Sequence, residues 1–374
     1  MRLLKTIRKK LSRYRITVTR VSGRERESGF PLDSVLIGSG MYMDKFYLLD
    51  QLYGDQVDHV EDQRIWHFQI QEVMRKSGAE MVMGYNVPSA FRRYADRPCS
   101  KFYIPRWLGG EVTVEDALSE LEQRPTLRAD KNKLNKNGLT YVMSDNIEDY
   151  RWYYDNIYVP YVNALFGRLS APAEFRKIEE AMPNLTLMLI KKGGETVAGQ
   201  ILVLEGKQAR GWTMGLLNGD RALVRIGALA ALYIFGFQEL AKRGIENYNL
   251  GGSRPFMNDG VLQYKRKWGM AVKGEKTRGF LICRMRDTRG VRQVLQNNPF
   301  IYEATNGKLT GAVFFPEHET DHQTVCKQIK PNSFLGLQAL ELFTTISMDL
   351  EEGCKVKQLK QPLVNKSISA VFTL

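Results

Sequence analysis

Long apolar runs are missing from the chain. The longest, Ile226 to Phe237, falls short of the roughly 20 residues that a bilayer-spanning helix requires, so no membrane-crossing segment is expected and the run reads as a buried helix. Cysteine and histidine are scarce, with four of each in 374 residues. Cys99, Cys283, Cys326 and Cys354 stand far apart without paired metal spacing, which argues against a zinc site and for a reducing, cytoplasmic setting. His318 and His322 share a helical spacing among Glu317, Glu319 and Asp321, but Pro316 and the polar surroundings read better as a solvated loop, so no metal is expected. A Walker lysine loop, a serine nucleophile elbow, a His-Glu-x-x-His helix and a dinucleotide glycine fingerprint are also missing. Kinase, serine-hydrolase, zinc-protease and Rossmann chemistry lose their sequence support together.

What is present is basic. A net charge of +13 favours anionic partners such as phosphates, transfer RNA, acyl thioesters of phosphopantetheine or an anionic lipid surface, or else it is simply a basic surface. The length predicts two domains plus extensions. Residues 1–15 place Leu3, Leu4, Ile7, Leu11 and Tyr14 at helical spacing with Arg2, Lys5, Arg8, Lys9, Lys10 and Arg13 between them; with the domain boundary drawn at 20, this is an expected basic amphipathic helix. It would lie on the inner face of a membrane or dock on the body of the protein. It lacks the longer apolar core and cleavage site of a secretory signal.

The patterning gives an order of strands and helices, an α/β (α+β) chain that includes an antiparallel meander. Asp44–Tyr53 and Asp62–Lys76 read as helices, Glu80–Tyr85 as a strand, and Thr113-Val-Glu-Asp116 as the cap of a further helix. Arg124–Lys136 reads as a basic helix closed by Gly138, with Leu139–Met143 a strand after it. Aromatics crowd Asp149–Leu169 at core-like spacing. Leu185–Lys191, Thr196–Leu204 and Gln208–Leu216 form a meander. A long helix from Ala222 to Arg243, a strand Glu246–Leu250 and a strand near Thr277–Arg284 follow. Beyond them, Leu335–Leu350 reads as an apolar helix and Ile368–Leu374 as a closing strand.

The most informative stretch runs from Tyr248 to Gly269. A strand ends in Leu250-Gly251-Gly252-Ser253, a loop carries Arg254, Asp259 and Gly260, and Tyr264-Lys265-Arg266-Lys267-Trp268-Gly269 closes it. A strand opening through glycines into a helix lets backbone amides and basic side chains meet an anion. These residues resemble the terminal signature of the FemABX-like branch of GNAT acyltransferases, in which an aromatic, a lysine, two residues, an aromatic and a glycine recur. The resemblance implies tandem GNAT-like domains with mixed, mostly antiparallel sheets flanked by helices, here at 30–148 and 149–288; 289–374 fits it least well and reads as an extension that either packs back on the first domain or covers the site. It also implies two splayed strands with the activated end of a donor in their gap. No bound cofactor is implied; the co-substrate would be acyl-CoA, an acyl-carrier protein or aminoacyl-tRNA, and the acceptor a small-molecule, peptide-linked or lipid-linked amine.

The acetyl-CoA pyrophosphate loop does not match. With its first glycine set on Gly227, Val224 holds the basic position and Leu229 the last one. Acyl thioester and aminoacyl-tRNA therefore both stay open as donors, and a GNAT-derived module without catalysis is the reading from another class. For direct amide formation, Lys265 is the candidate to stabilise negative charge on the donor or tetrahedral intermediate. Asp259 either takes up the amine proton or caps the helix that follows it. Gly251, Gly252, Ser253, Arg254, Lys267 and Arg128 are the candidate donor- or phosphate-binding residues, with solvated helix faces as the alternative for Lys267 and Arg128. Tyr264 and Trp268 read as packing anchors.

Overall fold

The computed structural model describes residues 15–40, 42–88, 102–275, 278–304, 306–316, 327, 329, 331–343 and 364–366. In chain order its first elements are β1 (Arg15–Arg24), β2 (Pro31–Gly38), α1 (Tyr42–Tyr53), β3 (Val57–Trp66), α2 (Ile70–Lys76), β4 (Met81–Pro88), β5 (Phe102–Pro105) and β6 (Leu108–Thr113). Then come α3 (Val114–Gln123), α4 (Pro125–Lys136), β7 (Leu139–Ser144), α5 (Ile147–Tyr153), α6 (Val159–Phe166), α7 (Phe175–Ala181), β8 (Leu185–Lys192), β9 (Glu195–Glu205) and β10 (Gln208–Leu216). The rest are α8 (Ala228–Lys242), β11 (Asn247–Asn249), α9 (Gly260–Lys267), β12 (Ala271–Gly274), β13 (Arg278–Met285), α10 (Arg289–Asn297), β14 (Phe300–Glu303), β15 (Leu309–Phe314), β16 (Ala339–Phe343) and β17 (Val364–Lys366). This is the mixed, mostly antiparallel α/β architecture expected, with three sheets flanked by helices. No helix among the described residues is long and apolar enough to cross a membrane.

Two compact units divide the chain, one drawn from Met1–Leu108, Ser253–Gln263 and Val272–Leu374, the other from Gly109–Gly252 and Tyr264–Ala271. These boundaries differ from the expected 30–148 and 149–288. In the second unit β6 pairs antiparallel with β11 and β7 with β8, so residues from 109 onward are tied to strands far later in the chain. In the first unit β13 lies between β4 and β5, so the strand expected to close the second domain belongs to the first. The segment after Arg289 is not a separate body: the glycine of α10 at 290 lies against the Pro31 carbonyl, and Asn297 Nδ2 donates to Glu25 Oε1 at 3.2 Å.

The first unit holds a six-stranded sheet, β3-β1-β2-β4-β13-β5, and a four-stranded one, β14-β15-β16-β17. Three expectations fail in it. Residues 15–20 of the expected N-terminal helix are strand β1, paired with both β2 and β3. Residues 62–66 are strand rather than helix: β3 is an outer strand with most of its charged side chains in water, which erases the inside–outside alternation that marks a strand. From Ala339 to Phe343 the expected apolar helix is β16, parallel to β15, because a short apolar run buried in a sheet has no period to separate it from a helix. The candidate helix at 1–14, His318, His322, Cys99, Cys326, Cys354 and the strand at 368–374 lie outside the described residues. Cys283 is buried in β13.

The second unit is ordered β6-β11-β10-β9-β8-β7. The β8–β9 turn uses Gly193 and Gly194 at φ +57° and +91°, the left-handed pair that a tight hairpin of the strands' own twist requires. Apolar residues surround α8 on every side, and Ala228, Ala231, Leu232, Ile234, Phe237 and Leu240 are buried. The helix starts at Ala228 rather than Ala222. Residues 221–224 form a separate 3-10 turn held by Asp220 Oδ1, which accepts from Ala222 N at 2.8 Å, and Gly227 at φ +92° cannot continue it into the helix. The buried Gln200 of β9 fastens the helix to the sheet through Nε2, which donates to the Leu232 carbonyl at 2.7 Å.

Candidate active site

Strands β10 and β11 run side by side for three residue pairs only, Gln208↔Asn247, Ala209↔Tyr248 and Arg210↔Asn249. Past Arg210 they part. The register between β10 and β9 slips between Gly211 and Thr213, so Trp212 is an extra residue, and such a bulge bends the strand and sharpens its twist. On the other side of the gap, Leu250 N donates to Gly110 O at 2.9 Å and Gly251 N to Asn249 Oδ1 at 2.8 Å, which draws the chain away from β10 and into the Gly251-Gly252 loop. At its narrow end the gap is tight: Gly251, at φ +76°, has the Gly211 carbonyl 3.3 Å from where a Cβ would stand. Both the left-handed backbone and the carbonyl require glycine here.

Lys265 stands at this loop. Its side chain is buried, and Nζ donates to the carbonyls of Gly251 at 3.0 Å and Gly252 at 2.8 Å. A buried ammonium needs acceptors, and these carbonyls supply two of them while holding the loop in place. The helix that delivers it is anchored by its aromatic neighbours. Trp268 stacks on Tyr233 of α8 at 5.1 Å, Tyr264 meets Tyr233 edge-on at 5.3 Å, and Phe237 tilts against Trp268 at 5.8 Å. Burial pushes the Tyr233 phenol well up, so it is a neutral packing group.

The other expected residues fall elsewhere. Lys267 is partly buried, its Nζ ion-paired with Asp130 of α4 and its carbonyl accepting from Arg124 Nη1 at 3.3 Å. Arg128 is exposed on α4. Ser253, Arg254 and Asp259 belong to the first unit. Ser253 exchanges both backbone hydrogen bonds with Leu108, at 2.8 and 2.9 Å, while its buried Oγ has no hydrogen-bond partner among the described residues. Asp259 caps α9, with Oδ1 accepting from Leu262 N at 2.9 Å. Arg254 lies between the rings of Tyr47 and Trp107, its guanidinium carbon 4.2 and 4.0 Å from their centres, and Nη1 donates to Asp44 Oδ1 and to the Arg106 carbonyl, each at 3.3 Å. Asp44, Tyr47, Arg106 and Trp107 carry no local motif, so nothing in the linear sequence singled them out.

Scanning against protein-family models gives no match, and neither does comparison with curated protein sequences. Among solved structures the chain resembles L-PGS from Bacillus licheniformis, with 14% identity over 73% of this chain and 87% of that one at a TM-score of 0.36. FemX overlaps with 12% identity over 70% of this chain and 83% of that one, at a TM-score of 0.37. A tandem GNAT protein from the clavulanic acid biosynthesis pathway overlaps with 11% identity over 69% and 80%, at 0.29. Similarity this loose says nothing of reaction or substrate.

Proposed function

We propose that the chain is an acyltransferase that forms an amide, moving an acyl group directly from an activated donor, an acyl thioester, to an amine acceptor. The observation that carries this reading is the parting of β10 and β11 beside a loop braced by a buried ammonium. A gap between two interior strands, widened by a bulge, gives an acyl group a slot in which backbone groups can hold it extended. In the reaction the amine nitrogen attacks the thioester carbonyl, the C–N bond forms, the C–S bond breaks, and the amine proton balances the departing thiolate. Lys265 is assigned the compensation of negative charge on the carbonyl oxygen of the tetrahedral intermediate, at the loop it already holds. Asp259 as acceptor of the amine proton stays a proposal beside its capping role.

Aminoacyl-tRNA as donor is the second reading, favoured by Val224. It stands exposed at 41% in the 3-10 turn before α8, where a pyrophosphate loop would present a basic residue. The test is thermal stabilisation of the whole chain by coenzyme A, acetyl-CoA, a long-chain acyl-CoA and bulk aminoacyl-tRNA, with Lys265→Ala alongside. Stabilisation by a thioester that Lys265→Ala weakens supports the first reading. Stabilisation by aminoacyl-tRNA alone replaces it with the second, and no stabilisation by any donor, with no amide product, leaves a binding module without catalysis.

A further inference from the structure

Two arginines in the first unit share one carboxylate. Asp44, in the first turn of α1, is fully buried, and its carboxylate meets Arg106 Nε at 2.9 Å and Arg254 Nη1 at 3.3 Å. Arg106 comes from the turn after β5 and Arg254 from the loop after β11, so three distant points of the chain converge here. The guanidinium side chains are only 19% and 13% exposed. One carboxylate cannot balance two guanidinium groups, so the cluster keeps an excess positive charge away from bulk water, where it is costly without an anion.

The guanidinium donors are not all met, while Asp44 Oδ2 is a buried acceptor without a hydrogen-bond partner among the described residues. Each guanidinium offers five N–H donors. Among the described residues the Arg106 side chain donates only through Nε, and the Arg254 side chain only through Nη1. Among the described residues the remaining N–H groups of both meet no acceptor. The Arg254 plane is meanwhile held between the Tyr47 and Trp107 rings, so its direction is set before any ligand arrives. Tyr47 has a buried hydroxyl without a hydrogen-bond partner among the described residues, and burial keeps the phenol neutral, so it adds no competing negative charge. Of the carboxylates acting on Tyr47, Asp259 acts more strongly than Asp50, and its Oδ1 accepts from Leu262 N at the α9 cap.

We propose that Arg106 and Arg254, set on Asp44, form a binding site for a phosphate group. A carboxylate has two oxygens in one plane and is satisfied by a single guanidinium fork, whereas donors from two guanidiniums suit the several oxygens of a phosphate. The site involves only first-unit residues and does not rest on the acyl-transfer reading. It extends the expectation for Arg254 by a second arginine, a buried counter-charge and a ring clamp.

The experiment measures binding to the full chain by calorimetry at low salt, with inorganic phosphate, a simple phosphodiester such as dimethyl phosphate, and acetate as probes. Phosphate or the diester should bind and acetate should bind at least tenfold more weakly. Which of the two binds better separates a terminal phosphate from a bridging one. Arg106→Gln and Arg254→Gln should each weaken binding about tenfold or more. Asp44→Asn, which removes the one counter-charge and keeps the shape, should tighten it severalfold. Arg254→Lys covers the case in which the glutamine variants do not fold: it keeps the charge, loses the fork and should still weaken binding. The proposal is overturned if neither phosphate probe binds, if acetate binds as well as phosphate, or if Asp44→Asn and Arg254→Lys leave the affinity unchanged.

Discussion

Lys265 and Asp259 both sit on the signature segment, and the structure sorts them by what each already holds. Lys265 Nζ is bound to two carbonyls of the Gly251-Gly252 loop, so replacing it removes a charge and loosens a loop at once. Lys265→Met keeps most of the buried stem and separates these effects kinetically. If the ammonium acts on the intermediate, kcat falls about 10²–10³-fold with KM little changed. A rise in KM with kcat unchanged would reduce Lys265 to a loop brace. For Asp259 the cap is what the geometry shows, and asparagine caps as well as aspartate does. Asp259→Asn should therefore leave both melting temperature and turnover near those of the parent, while Asp259→Ala should cost about 1 kcal/mol of stability. A fall in kcat of about 10²-fold or more in Asp259→Asn, with the melting temperature held, would instead assign it the amine proton. Burial of one residue says as much as its motif does. Lys267 fills one of the two unspecified positions of the signature, its pairing with Asp130 ties it to α4, and no local pattern foretold a partner so distant in the chain.

Among elements, the second unit was legible wherever the period was clean. The meander β8, β9 and β10 falls within a residue of its expected bounds, because glycine turns separate its apolar runs, although β8 and β9 are buried on both faces along most of their length. The loop between β11 and α9 was legible from its glycines. What the sequence could not show was pairing across long separations: β6 beside β11, or β13 between β4 and β5, depends on which faces meet, and no window of residues encodes that. The bulge at Trp212 was hidden for the same reason, since one extra residue leaves the apolar pattern of β10 almost intact. Helix α8 permits a test in which propensity and packing disagree. Gly236 lies mid-helix, where alanine is ordinarily favoured by about 0.8–1.0 kcal/mol. A Cβ there would stand 2.9 Å from Gln200 Nε2, and that amide is buried and already bonded to the Leu232 carbonyl. Because the amide cannot move without losing an interior hydrogen bond, packing wins. Gly236→Ala should lower stability by about 1 kcal/mol in chemical denaturation, and any gain in stability would show that Gln200 yields.

At the scale of the whole molecule, the response to pH depends on its tyrosines. Both units bury them: Tyr53 in the first, and Tyr150, Tyr153, Tyr248 and Tyr264 in the second are all raised above the ordinary phenol value of 10.0, in each case mainly by loss of solvation. A phenol whose folded pKa is raised stays protonated in the folded chain after its unfolded counterpart has ionised. The stability it contributes is complete below pH 10 and is lost as the pH climbs from there towards the folded values, because the unfolded state then releases protons that the folded state retains. The carboxylates act at the other end. Burial raises Asp62 and Glu239, but hydrogen bonds from Lys45 and Thr19 to the first, and from Arg243 and Tyr141 to the second, outweigh it and leave both lowered. Their contribution is present above the ordinary carboxylate range and is lost as pH falls through the lowered folded values. Alkali is the more telling direction, since several groups act together. In a spectrophotometric titration of tyrosinate absorbance, exposed phenols should titrate smoothly near pH 10, while the buried set should appear later in a steep step coincident with loss of the near-ultraviolet circular dichroism. A single smooth titration of all 17 tyrosines near pH 10, with the dichroism intact, would mean that these phenols reach water in the folded chain and that the packing around Tyr153 and Tyr248 is wrong.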